Sequence, residues 1–228
     1  VRELAVDVRS LPIHVVVLES LGRNAGWATA SAALAREQDG DAPHLIYLPE
    51  RPFVEEEFLD QVKTLYNRLG GVVVVASEGL RDETGKPIVP PIFQTGRSTY
   101  FGDVSSHLAQ MVVRRLGIKA RSEKPGILAR ASIAWQSPVD AAEAEQAGRA
   151  ACRAALAGES GKMAAFRRLS TQPYQCEIFL APIEEVMLGE RTLPADYITP
   201  GGSDVTDAFC DWCRPLIGGR IPTMARLV

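Results

Sequence analysis

The sequence predicts an α/β fold, a parallel sheet with helices on both faces. Three observations carry this. Residues 13–18 and 72–76 are near-continuous apolar runs, as expected of strands buried on both faces of a parallel sheet. Segments of helical periodicity separate them, with Val54, Phe58, Leu59, Val62, Leu65, Tyr66 and Leu69 on one face of residues 54–69. Gly70-Gly71 and Gly117 come after the helical patterns, where glycines usually stop them.

Taken in order, residues 13–18 form the first strand. Residues 25–38, rich in Ala and Leu and free of Pro, read as a helix. Residues 44–48 form a second strand stopped by Pro49, residues 54–69 a helix, and residues 72–76 a third strand. This strand–helix alternation implies right-handed parallel crossovers. Residues 79–101 read as a long loop, which is uncommon unless functional or mobile. Val104, Leu108, Met111, Val112 and Leu116 mark a helix ending at Gly117, and residues 118–122 come next as a strand. Ser137-Pro138 opens a helix through Leu156, with Ser as cap and Pro in the first turn. Residues 161–169 and 176–180 read as two further strands. Residues 205–217 read as a last amphipathic helix, capped by Asp204 with Asp207 in its first turn.

The chain has 228 residues, which suits one α/β domain or one lobe of a larger protein. A net charge of -3 argues against bulk attraction to nucleic acid or an anionic membrane. No apolar run approaches the roughly 20 residues that span a bilayer. Cys152, Cys176, Cys210 and Cys213 are scattered, as suits a reducing cytoplasm. Cys210 and Cys213 make a lone Cys-x-x-Cys, but Cys213 continues an apolar helical face, so packing is the favoured role. His14, His44 and His107 have no metal-ligand spacing, and the first two sit in strand patterns. The chain begins at Val1 rather than Met, as a trimmed product or the tail of a longer reading frame would.

Ligands of open parallel sheets bind beyond the carboxyl ends of strands. Three strands here end in a carboxylate: Glu19, Glu50 and Glu78. Glu19 leads directly into Gly22, Arg23 and a helix start. Glycine admits close backbone approach, free helix N–H groups favour an anion, and the Arg23 fork matches phosphate oxygens. The same residues also read as an ordinary turn with a solvated arginine. Glu78, in Ser77-Glu78-Gly79, either accepts from sugar hydroxyls or is a helix cap or a solvated loop end. Arg121 and Arg130 flank Lys124-Pro125-Gly126 and either close on a phosphate or lie solvated. Gly201-Gly202-Ser203-Asp204 is explained by capping.

In order, these stations resemble the phosphofructokinase family, in its pyrophosphate-dependent-like branch. Residues 19–27 resemble the family's Glu-x-Met-Gly-Arg-x-x-Gly segment. Residues 42–50, the strand ending in Ser77-Glu78-Gly79, and residues 117–130 stand in the family's order. Residues 140–151, 158–163 and 205–227 continue it. The resemblance implies a Rossmann-like phosphofructokinase lobe, with residues 1–228 as its C-terminal, substrate-binding portion.

It also implies that Gly22 and Arg23 meet fructose 6-phosphate near its reacting end and that Glu78 binds sugar hydroxyls. Arg121 and Arg130 would grip the 6-phosphate, Arg121 by reaching across a subunit interface. Four positions depart from the family pattern: Leu21 for Met, His14 for Arg, Ile127 for His or Tyr, and Ala129 for Gln. The family's Gly-Gly-Asp donor loop and the Thr-x-Asp-x-Asp motif of its catalytic base do not occur in the chain. No catalytic residue and no metal ligand are therefore expected here. The complete enzyme would use Mg2+ and pyrophosphate or ATP in a cytoplasmic homo- or hetero-oligomer. The chain alone is expected to be inactive, because phosphoryl transfer depends on positioning and charge at both partners. A sugar-phosphate-binding regulatory module and a structural partner subunit are the alternatives.

Overall fold

The computed structural model describes residues 1–96, 98–187 and 189–223. They form two compact units. One takes Val1–Ala131 with Thr192–Cys210, the other Ser132–Arg191 with Asp211–Pro222. The first unit opens with α1 (Arg2–Ser10), a helix the sequence pattern does not announce. It continues through β1 (Val15–Ser20), α2 (Trp27–Ser31), β2 (Leu45–Tyr47), α3 (Glu55–Leu69) and β3 (Val72–Ser77). A hairpin of β4 (Pro91–Thr95) and β5 (Ser98–Phe101) comes next, then α4 (Val104–Leu116), β6 (Ala120–Glu123) and the short α5 (Leu128–Ala131).

β1, β2, β3 and β6 form one sheet in the order β2-β3-β1-β6, with every pair parallel. The two valine-rich strands are the two inner ones, which is why they tolerate no polar face. Side chains alternate across the sheet. Val15, Val17, Val72 and Val74 join Phe58 and Val62 of α3 and Leu108 and Val112 of α4. Val16 and Val73 point the other way and join Val8 of α1 and Ile13. Helices thus cover both faces, as expected. α3 and α4 end on left-handed Gly70 and Gly117 at φ 74° and 68°.

The histidines in strand patterns make structural contacts. The His14 ring packs against Tyr66 at 5.3 Å. The His44 amide donates to the Val73 carbonyl at 2.8 Å, and its Nδ1 accepts from the Val73 amide at 2.8 Å. Burial pulls the His44 imidazole below its ordinary value. The neutral ring therefore stabilises the fold above the ordinary imidazole pKa of about 6.5, and this stability is lost as pH falls through the lower folded value. We expect Tm to fall on acidification below about pH 6.5, and to fall less in His44→Asn, whose Oδ1 can still accept from Val73. A pH series of thermal unfolding checks this.

Several expectations are corrected. The helix expected over residues 25–38 is α2 continued by a 3-10 turn, Ala32–Ala35. The chain leaves it at Arg36, whose Nε donates to the Pro43 carbonyl at 2.7 Å and whose Nη1 pairs with Asp204 at 3.0 Å. The long loop contains the β4–β5 hairpin, in which every residue of β4 is exposed. Asp204 does not cap the last helix. It accepts from its neighbour's amide at 2.7 Å and pairs with Arg36.

In the second unit, α6 (Pro138–Leu156) starts as expected on Ser137, whose hydroxyl accepts from the Asp140 amide at 3.1 Å. β7 (Lys162–Thr171) and β8 (Tyr174–Pro182) pair antiparallel and lead into α7 (Ile183–Val186). The Tyr174 hydroxyl donates to Glu143 at 2.6 Å. The Arg168 guanidinium lies over the rings of Tyr174 and Trp212, at 4.9 and 4.4 Å. The last helix, α8 (Asp207–Cys213), passes into a 3-10 turn at Arg214–Ile217, so it is shorter than expected. Cys152 and Cys176 are free thiols, and Cys213 is buried.

Candidate functional site

β1 and β3 are neighbours in register, so Ser20 and Ser77 end side by side at the carboxyl edge of the sheet. The chain leaving β1 turns at Gly22, at φ 124°. The Gly22 amide donates to Glu78 Oε1 at 3.1 Å, and its carbonyl accepts from the Ser77 hydroxyl at 2.6 Å. The Glu78 amide in turn donates to the Ser20 carbonyl at 3.1 Å. A Cβ on Gly79 would lie 1.6 Å from the Arg23 carbonyl oxygen. Gly22 and Arg23, expected in one turn, and Glu78, expected apart from them, are therefore one structure in which two strand ends are laced together. Arg23 is exposed and its guanidinium lies over the Phe101 ring of β5, 5.5 Å from the ring centroid.

Sequence reasoning misses Ser77 and Phe101 as parts of this turn. It notes Glu50 only as a strand-end carboxylate. Glu50 Oε1 accepts from the Gly26 amide and from the Leu193 amide, both at 2.8 Å. It pins the start of α2 to the returning segment of the same unit. That segment also packs aromatically, with Trp27 6.3 Å from Tyr197 and 6.4 Å from Phe209.

Glu19 does not face the turn that comes after it. Like Val15 and Val17, it points to the α3–α4 face, and its side chain is 3% exposed. Its Oε2 accepts from the Ser105 amide at 3.0 Å, in the first turn of α4. Asp103 holds the cap position of that helix without a side-chain cap bond. Glu19 thus supplies from another strand the bond an N-cap residue usually makes. Lys124, just past β6, pairs with Glu19 Oε1 at 2.9 Å and with Asp103. Partial burial lowers the Lys124 ammonium pKa, but its hydrogen bonds to Asp103 and Glu19 outweigh this and raise it overall.

Arg121 and Arg130 lie apart from this cluster in the single chain. Arg121 pairs with Val16 on the edge strand β6. At about 3.3 Å per residue, that is about 10 Å short of Glu19. It lines an open groove with Ser106, Gln110, Arg114 and Ser122. Arg130 is exposed on α5. Among the described residues, neither shares a hydrogen bond or ion pair with Gly22, Arg23 or Glu78.

Among the described residues, no group of three His, Cys, Asp or Glu could hold a metal ion. Of the edge carboxylates, Glu19 is engaged by Ser105 and Lys124, Glu50 through Oε1 by two amides, and Glu78 through Oε1 by Gly22. No described helix is long and apolar enough to cross a membrane.

Residues 1–155 match the family described as Phosphofructokinase. The chain belongs to the phosphofructokinase family. Its stretch is 35% identical over 227 residues to pyrophosphate–fructose 6-phosphate 1-phosphotransferase of Xanthomonas campestris, covering 97% of this chain and 54% of that protein. Among solved phosphofructokinases, the pyrophosphate-dependent enzyme of Marinobacter aquaeolei superposes with a TM-score of 0.81 at 35% identity, over 98% of this chain and 54% of that one. The pyrophosphate-dependent enzyme of Nitrosospira multiformis superposes at 0.82 and 31% identity, again over 98% and 54%. The chain therefore spans about half the length of these phosphofructokinases. Its parallel sheet with helices on both faces is the phosphofructokinase fold.

Proposed function

We propose that this chain is the acceptor-binding portion of a phosphofructokinase that phosphorylates fructose 6-phosphate to fructose 1,6-bisphosphate. The observation that carries the reading is the lacing of Gly22, Arg23 and Glu78 into one turn at the carboxyl edge. Backbone brought close by glycines, an exposed guanidinium and a carboxylate suit a phosphorylated sugar. Arg23 supplies charge near the reacting end and Glu78 accepts from hydroxyls. Arg130 and Arg121 receive the 6-phosphate, Arg121 from the edge strand of a neighbouring subunit in an oligomer. The donor, pyrophosphate or ATP, its Mg2+ and the catalytic base belong to groups outside this chain. The setting is the glycolytic cytoplasm.

A non-catalytic sugar-phosphate-binding module is the second reading. Calorimetry tests the shared step: the chain binds fructose 6-phosphate, and Arg23→Ala weakens binding by about tenfold or more, as loss of a charged hydrogen-bond donor should. No turnover with pyrophosphate or ATP is expected from the chain alone. Turnover would sink the missing-base argument, and undiminished binding by Arg23→Ala would sink the site.

A further inference from the structure

We infer that Glu19 and Lys124 are positioning residues whose ion pair fastens the turn carrying Arg130 to the strand end carrying Gly22 and Arg23, a role that rests on the proposed sugar-phosphate site. The β1–β6 ladder ends with the pair Leu18 and Glu123. The next residues on either side are Glu19 and Lys124, joined at 2.9 Å. The ion pair continues the β1–β6 connection one step beyond the sheet.

The segment after Lys124 has little else to hold it. Gly126 turns the chain at φ 54°, and α5 presents Arg130 at the surface. Among the described residues, residues 125–131 hydrogen-bond only within their own turn, as from the Leu128 amide to Pro125 and the Ala131 amide to Ile127. On the other side, Glu19 is three residues before Gly22.

The pair is also not ordinary surface decoration. An exposed lysine–carboxylate pair contributes little, but here the carboxylate is buried, and a buried charge is unfavourable unless it is paired. A cap alone would need only Asp103, which stands at the cap position and turns to Lys124 instead. The chain uses a buried carboxylate from β1 where a local one was at hand. The consequence is that three segments, the end of β1, the start of α4 and the turn after β6, meet on one ammonium.

The test uses the 228-residue chain with Lys124→Met, Lys124→Arg and the pair Glu19→Gln/Lys124→Met. Backbone relaxation by NMR, without ligand, reads the order of residues 126–131; calorimetry reads fructose 6-phosphate; thermal unfolding reads Tm. Lys124→Met should loosen residues 126–131 toward order parameters below about 0.6. It should also weaken fructose 6-phosphate by about tenfold, the effect of misaligning one charge-assisted hydrogen bond. Lys124→Arg should restore both. The double variant, which leaves no unpaired buried charge, should recover Tm but neither order nor affinity. Unchanged order in Lys124→Met overturns the inference, as does affinity that returns with Tm in the double variant. A wild-type chain that fails to bind the sugar while Lys124→Met still loosens the turn overturns the site reading and leaves the fastening intact.

Discussion

Gly79→Ala should abolish fructose 6-phosphate binding and lower Tm more than any other glycine-to-alanine change near the site. The added Cβ would fall 1.6 Å from the Arg23 carbonyl oxygen and 2.4 Å from its carbonyl carbon. Both are backbone atoms, so no side-chain rotation relieves the clash. Either the β1 turn or the β3 end must move by more than an ångström. The hydrogen bonds from Gly22 to Glu78 and from Ser77 to Gly22 span the same gap and would break with it. Overpacking in well-packed regions costs about 1–3 kcal/mol, occasionally more, and here lost hydrogen bonds add to it. Gly85→Ala is the control. Its φ is 79° but nothing lies within 4 Å of the new Cβ, so it carries only the left-handed penalty of about 1–2 kcal/mol. Thermal unfolding and calorimetry on the two variants check the contrast. A Gly79→Ala protein with wild-type Tm and affinity would mean the two strand ends are not laced as described.

How legible each element is in the sequence depends on where its signal lives. The valines of β1 and β3 and the helix closed by Gly117 are legible because burial on both faces and a left-handed stop leave local marks. α2 reads too long because its Ala-rich sequence favours helix by propensity, while its end is fixed by Arg36 reaching Pro43 and Asp204. The β4–β5 hairpin escapes notice because all of β4 is exposed and shows no alternation of burial. At the site, Gly22, Arg23 and Glu78 carry recognisable neighbours in sequence. Lys124 does not. Its partnership with Glu19 depends on the β1–β6 register, and no spacing within either segment encodes that. Ser77 could have been found, since a Ser before Glu-Gly at a strand end has an obvious hydroxyl to offer a nearby carbonyl.

Phe58→Ala should separate the fold from the site. Phe58 is fully buried on α3, 5.5 Å from the rings of both Tyr47 and Phe53. Its removal opens a cavity under β2, with an expected loss of about 3–5 kcal/mol. At about 2–4 °C per kcal/mol for a chain of this size, Tm should drop by about 10 °C. The neighbouring Tyr47 ring is anchored by its hydroxyl, which donates to Gln61 at 2.8 Å. Burial raises its pKa, so it stays protonated and cannot fill the void as a charge. Phe58→Leu, which keeps most of the volume, should cost less than half as much. Yet Phe58 lies on the α3 face, and the Gly22–Glu78 turn is built from strand-end backbone held by its own hydrogen bonds. Below the transition, where the variant is still folded, fructose 6-phosphate affinity should change by less than about twofold, as expected for sites without shared partners. A large affinity loss in folded Phe58→Ala would show that the turn draws its geometry from the packing beneath β2, and the lacing of β1 to β3 would then not suffice to hold it.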